Sequence, residues 1–180
     1  MRLLYLFAII LVFTNKVDAN TASLKQLWTN VAQPDSIRFK ASNAYYNQML
    51  FAQPDSIILL TAYHIELAQQ KHSEKERAIA LGKQAIAFNL KGDYDRALIE
   101  MNKVVDIYVS LNDSISLLKT YNNLALIYYQ RVEYQEALKY FSKCLVFYQA
   151  NNIEDYQASI LMHIGPVSYT HLTLPTILLV

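Results

Sequence analysis

An internal repeat limits what this chain can fold into more than any other feature, because self-similarity at a fixed spacing specifies one unit used several times. The stretch "ALGKQAIAFNLKGDYDRALIEMNKVVDIYVSLND" and the stretch "TYNNLALIYYQRVEYQEALKYFSKCLVFYQANN" align at an offset of 40 residues. Leu81, Ala85 and Phe88 then meet Tyr121, Ala125 and Tyr128. Tyr94, Ala97, Leu98, Met101, Val104, Val105 and Tyr108 meet Tyr134, Ala137, Leu138, Phe141, Cys144, Leu145 and Tyr148. The second set advances by three, one, three, three, one and three, which is the apolar stripe of an α-helix.

Each unit is therefore two helices. The spacing predicts helices over 76–90 and 93–110 in the first unit, and over 115–130 and 133–149 in the second. Asp93 is a helix-starting residue and Gly92 a helix-ending one. Ala97 and Ala137 mark points where two helices come close. Upstream, "PDSI" occurs at 34–37 and again at 54–57. Proline followed by Asp and Ser is a helix-start signal. It predicts a degenerate helical pair over 37–52 and 56–71, with the bulky Tyr45 near a small-residue position. Downstream, Leu161, Ile164 and Gly165 stand forty residues after Tyr121, Leu124 and Ala125, so a third unit begins at 153–165.

These residues resemble the tetratricopeptide repeat family. The small residues at Ala85 and Ala125, the aromatics at Phe88 and Tyr128, the "GDYDRA" and "VEYQEA" turns and the alanines that follow carry the resemblance. The forty-residue spacing is similar to the family's longer-helix variety, common in bacterial sensor and regulator proteins. Val132 stands in place of the turn glycine, Gln84 at a normally apolar position, and Val104 and Cys144 where the family prefers alanine. The resemblance implies an all-α, right-handed α-α superhelix, here truncated. Its concave surface would be lined by the first helix of each pair and would bind an extended peptide or a partner helix. By position, the groove residues are Lys83, Asn89, Lys119, Asn122, Asn123, Tyr129 and His163. Asn123 is the best supported, since an asparagine both donates to and accepts from a peptide backbone.

The N-terminus, "MRLLYLFAIILVFTNKVDAN", has a basic Arg2, an apolar run from Leu3 to Phe13, and small residues at Val17 and Ala19. It predicts a signal peptide over 1–19, cleaved after Ala19, and so an exported protein in the periplasm or on the membrane facing it. A retained anchor is the alternative, although the apolar run falls short of the ~20 residues that span a bilayer. No cysteine lies near the cut, which argues against a lipoprotein and a carbohydrate-uptake role. The expected organisation is a degenerate pair over 20–74, repeats over 75–112 and 113–152, a first helix of a truncated repeat over 153–165, and a tail over 166–180. That tail, which includes His171, has two prolines and no Lys, Arg, Asp or Glu. "VSYTHLTLPT" is similar to a translated sequencing adapter, which would make the tail non-native and leave the natural chain continuing past Gly165.

Residue chemistry narrows the function further. Sixteen basic residues balance fifteen acidic ones with no basic patch, so nucleic-acid binding has no electrostatic footprint. No metalloprotease motif, paired-cysteine motif or glycine-rich phosphate loop occurs. With glycine only at Gly82, Gly92 and Gly165, a dinucleotide fold is not expected, and no catalytic residue, cofactor or metal is expected either. His64 and His72 stand eight apart, a spacing that could place two metal ligands on one helix face, but a helix-end role for His72 is the simpler expectation. Cys144 falls on an apolar stripe and reads as an inert core thiol. Asp93, Asp95, Glu133 and Glu136 read as solvated charge. Tyr128, Tyr134, Tyr140 and Tyr148 read as packing residues rather than a binding platform. The expectation is a non-enzymatic scaffold that binds a protein or peptide, with membrane contact only through the signal peptide or a missing segment. The alternative is the extracytoplasmic sensory region of a longer bacterial signalling protein, whether a histidine kinase, a nucleotide cyclase or a transcriptional regulator.

Overall fold

The computed structural model describes residues 21–150. A helical segment over 21–29 (α1) precedes α2 (Asp35–Met49), α3 (Pro54–Gln70), α4 (Glu74–Leu90), α5 (Tyr94–Ser110), α6 (Ser114–Gln130) and α7 (Tyr134–Ala150). The paired helices of both repeats are present, and so is the upstream pair, with ends within three residues of expectation. α1 is an addition: Trp28, 2% exposed, docks it, its ring 5.3 Å from that of Tyr63. The expected signal peptide, the third unit with His163, and the tail lie outside the described residues.

From α3 onward the helices start every 20 residues and each is 17 residues long. The turns between them share one geometry. His72, Gly92, Asn112 and Val132 all have positive φ, at 52°, 77°, 52° and 69°. At each, the amide of the following residue reaches back to a carbonyl in the last helical turn: Ser73 to Ala68, Asp93 to Phe88, Asp113 to Tyr108 and Glu133 to Tyr128, at 2.9–3.0 Å. This is the Schellman arrangement, which satisfies the orphan carbonyls of a helix end. Val132 thus adopts the turn that Gly92 adopts, despite its branched side chain. His72 is the left-handed turn residue itself, not part of α3, so it shares no helix face with His64.

Successive helices pack against each other, and α4 also approaches α2 and α6, two places away. Among the described residues no comparable backbone approach joins α3 to α5 or α5 to α7. The stack therefore curves toward the side carrying α2, α4 and α6. Ala85, Ala97, Ala125 and Ala137 are all 0% exposed, and their small side chains allow the close approach. Leu81, Phe88, Met101, Val104, Ile107, Leu124 and Ile127 form the central core, and Phe141, Cys144, Leu145 and Tyr148 the core of the second repeat.

The first pair is built differently. Tyr45 stands where Ala85 and Ala125 stand, and Ile57 where Ala97 and Ala137 stand; both are buried. Polar groups fill part of this junction. His64, 1% exposed, places Nδ1 3.2 Å from Ser42 Oγ and 3.1 Å from Tyr46 Oη. Its ring stacks on Phe39 and Tyr46, at 5.0 and 5.6 Å between centroids. Arg38, also buried, donates through Nε to the Trp28 carbonyl at 3.1 Å and through a terminal nitrogen to Tyr63 Oη at 2.9 Å. His64 is thus a buried junction residue.

Candidate functional site

The inner face is formed by three parallel rows on α2, α4 and α6, in register at forty-residue intervals. One row reads Asn43, Lys83, Asn123; the next reads Ser42, Gly82, Asn122; a third reads Phe39, Ile79, Lys119. Between α4 and α6 lies a pocket of about 190 Å³. Ile79, Gly82, Lys83 and Ile86 come from α4, Ser116, Lys119, Thr120 and Asn123 from α6, and Met101, Val104 and Tyr108 rise from α5 to form the floor. Three expected groove residues, Lys83, Lys119 and Asn123, therefore share one pocket. Asn122, Asn89 and Tyr129 are half-buried and do not line it. Asn89 Oδ1 is buried without a hydrogen-bond partner, and the Tyr129 ring packs against Tyr134 at 5.6 Å.

Lys83 is the residue whose electrostatics stand out. Its Nζ donates to Asn47 Oδ1 on α2 at 2.8 Å, and burial lowers its pKa below the ordinary lysine value. It is a cation paired with a neutral amide, at the junction of three inner helices.

The inner face continues between α2 and α4 into a wider hollow of about 620 Å³. Asp35, Lys40, Asn43, Lys71 and Glu76 line it, so its charges are mixed. Glu76 Oε2 accepts from Asn43 Nδ2 at 3.2 Å and lies 3.6 Å from His64 Nε2. The imidazole, and then Asn43, hold the Glu76 carboxyl below the ordinary glutamate range against the opposing effect of burial. Ser42, His64 and Glu76 have the residue types of a hydrolytic triad but not its arrangement. Ser42 is 2% exposed and its Oγ donates to the Phe39 carbonyl at 2.9 Å, so no substrate reaches it.

The four carboxylates expected to be solvated are at least partly exposed, and each also caps a helix or pairs with a cation. Asp93 caps α5 by accepting from the Arg96 amide at 3.2 Å. Asp95 and Glu133 both pair with Arg131 at 2.7 Å, and Glu136 pairs with Lys139 at 3.1 Å. The tyrosines pack between α6 and α7: Tyr140 stacks on Tyr128 at 5.7 Å and tilts against Tyr121 at 5.6 Å. Cys144 is 0% exposed, and burial pushes its thiol up to about 11.

Gly82, Ile86, Tyr108 and Thr120 also line the inner pocket, yet sequence reasoning did not select them. For the α2 positions Asn43 and Asn47 a signal existed: Asn43 stands forty residues before Lys83, as Lys83 stands before Asn123.

Over part of the chain, the repeat length and the paired helices are similar to those of one family. Residues 76–150 match the tetratricopeptide repeat. The matched span covers α4 through α7 apart from the first two residues of α4, and so contains the whole inner pocket. Tetratricopeptide repeats generally mediate protein–protein interaction. No curated protein sequence and no solved structure matches the chain. Among the described residues no helix is long and apolar enough to cross a membrane, and no cluster of His, Cys, Asp and Glu could hold a metal ion.

Proposed function

We propose that this chain is an exported, non-enzymatic scaffold whose tetratricopeptide repeats bind a peptide segment of a partner protein on the face formed by α2, α4 and α6. The observation that carries this reading is the gathering of Lys83, Lys119 and Asn123 around one pocket on the inner side of the curve. Side chains there offer both donors and acceptors to an extended backbone, which cannot pair with itself and must find partners where it is bound. Export rests on the pattern of residues 1–19, with the chain then working in the periplasm or on the membrane surface facing it.

Selection of displayed random peptides on the full chain tests the proposal. Enriched peptides lose binding when Asn123→Ala and Lys119→Ala are introduced on the inner face, and keep it when Ile99→Ala and Val146→Ala are introduced on the outer helices, where both side chains are exposed. The reverse pattern would remove the inner face from the function. Fractionation of cells expressing the chain tests export: the protein runs with the periplasmic or membrane fraction, shortened by the length of the leader if it is cleaved.

A further inference from the structure

A second cavity lies on the outer side of α4, away from the inner face. α3 and α5 do not approach each other closely, and the gap between them opens over α4 as a cavity of about 470 Å³. That volume falls within the 300–1,000 Å³ of small-molecule sites. Ile65 from α3, Leu81 from α4 and Ile107 from α5 supply apolar lining. Four charged side chains stand among them, Glu74 and Arg77 on α4 and Lys103 and Asp106 on α5. The repeat itself does not require this set. Forty residues on, in the gap between α5 and α7, the registered positions carry Ser114, Leu117, Lys143 and Val146, and Tyr121 stands where Leu81 stands. The same helix pair is thus built with Leu117 packed against the core in place of Arg77, and with an apolar residue in place of Asp106.

The pairing of these charges leaves two groups over. Lys103 donates to Glu100, one turn back on its own helix, at 3.0 Å, and Arg77 pairs with Glu74 at 2.5 Å. Arg77 Nε remains buried with no hydrogen-bond partner, a state that costs free energy until an acceptor arrives. Asp106 is exposed and pairs with no cation among the described residues. The lining charges cancel, so the cavity favours a neutral ligand over an ion, and the two groups left over favour one that carries both signs. We infer that this cavity binds a free α-amino acid with a large aliphatic side chain. The ammonium goes to Asp106, the carboxylate to Arg77, and the side chain to Ile65, Leu81 and Ile107. A guanidinium suits the carboxylate because its planar donors match two oxygens at once. A free amino acid differs from a residue inside a peptide in carrying both charges on one carbon. The site therefore selects a metabolite and not a polypeptide, and it is independent of the inner-face reading above.

Isothermal titration calorimetry of the full chain with leucine tests the inference, beside three controls. Alanine keeps both charges and loses most of the side chain, N-acetyl-leucine loses the ammonium, and leucinamide loses the carboxylate. Leucine binds. Alanine binds about tenfold or more weakly, the scale on which an apolar pocket discriminates by methylenes. N-acetyl-leucine and leucinamide each bind at least about threefold more weakly at low salt. Asp106→Lys, at an exposed position, weakens leucine about tenfold or more by placing a cation against the ammonium. Val146→Ala, at the registered position on α7, leaves leucine binding unchanged. Arg77→Gln removes the preference for leucine over leucinamide; if that variant does not fold, the same comparison on the parent chain decides the carboxylate contact. Absence of binding at millimolar concentration overturns the inference, as does equal binding of leucine and any one control, or unchanged binding by Asp106→Lys. Loss of leucine binding in Asn123→Ala with Lys119→Ala would place the ligand on the inner face and overturn it as well.

Discussion

Arg131, at the C-terminus of α6, lies 2.7 Å from the carboxylate of Asp95 in the first turn of α5. Lys71 reaches Asp35 at 3.0 Å in the same way, and Lys91 pairs with Asp55. Each strut joins residues 36 apart in sequence, the cation at one helix end and the anion at the start of the helix before it. Both charges sit at the favourable end of their helix dipoles. The equivalent positions between α4 and α5 hold Lys75 and Leu111, and no strut forms there.

These pairs are exposed, so each contributes little. Asp95 is 80% exposed at its side chain, and Asp95→Asn lowers stability by less than about 1 kcal/mol, less still in high salt. Urea unfolding at two ionic strengths measures it.

The turn at Val132 is strained by its own side chain. A branched residue in the left-handed region costs about 1–2 kcal/mol that glycine does not. Val132→Gly therefore stabilises the chain by about 1 kcal/mol once glycine's extra freedom when unfolded is deducted. Gly92→Val, at φ 77°, destabilises it by about 1–2 kcal/mol. Chemical denaturation of the two variants gives opposite shifts in midpoint.

Helix spacing in both repeats depends on fully buried alanines. Ala97→Leu and Ala137→Leu each force two backbones apart and cost about 1–3 kcal/mol, or more if the inner pocket loses its shape. Calorimetry reads the loss, and Ala→Gly or Ala→Ser at the same positions shows a smaller one.

Acid weakens the junction of α2, α3 and α4 through Glu76. Its folded pKa is lowered from the ordinary 4.5, chiefly by the His64 imidazole and then by Asn43. A carboxylate lowered on folding contributes stability that is fully present above its unfolded value and is lost as pH falls through its folded value. The effect therefore belongs to the region below about pH 4.5, and Glu76→Gln flattens the stability profile there relative to the parent chain. A profile that keeps its full acid slope in Glu76→Gln would place the slope elsewhere.

Much of the fold was legible because the repeat is written twice in side-chain volume: Ala85 with Ala125, Ala97 with Ala137, Phe88 with Tyr128. The left-handed turn was legible at Gly92 and obscure at Val132, where tertiary spacing overrides the residue's own preference. The first pair was harder to read because Tyr45 and Ile57 break the small-residue rule and a buried polar cluster takes part of the place of apolar contact. His64 could not be recognised as a junction residue, since Ser42 and Glu76 lie on two other helices. On the inner face, Lys83, Lys119 and Asn123 came from the family resemblance carried over by position, and the fold sets them around one pocket. Gly82 did not, because an absent side chain leaves no periodic trace.

The shared turn geometry has a consequence for how such a chain lengthens or shortens. His, Gly, Asn and Val all serve at the bend, so the phase of the stack belongs to the count of residues and not to the identity of the bend residue. Loss or gain of twenty residues would exchange inner helices for outer ones downstream of the cut and scramble the lining of the pocket. Loss or gain of forty would return every downstream helix to its own side of the curve, which makes the double helix turn the smallest segment that can be duplicated or deleted without turning the molecule inside out.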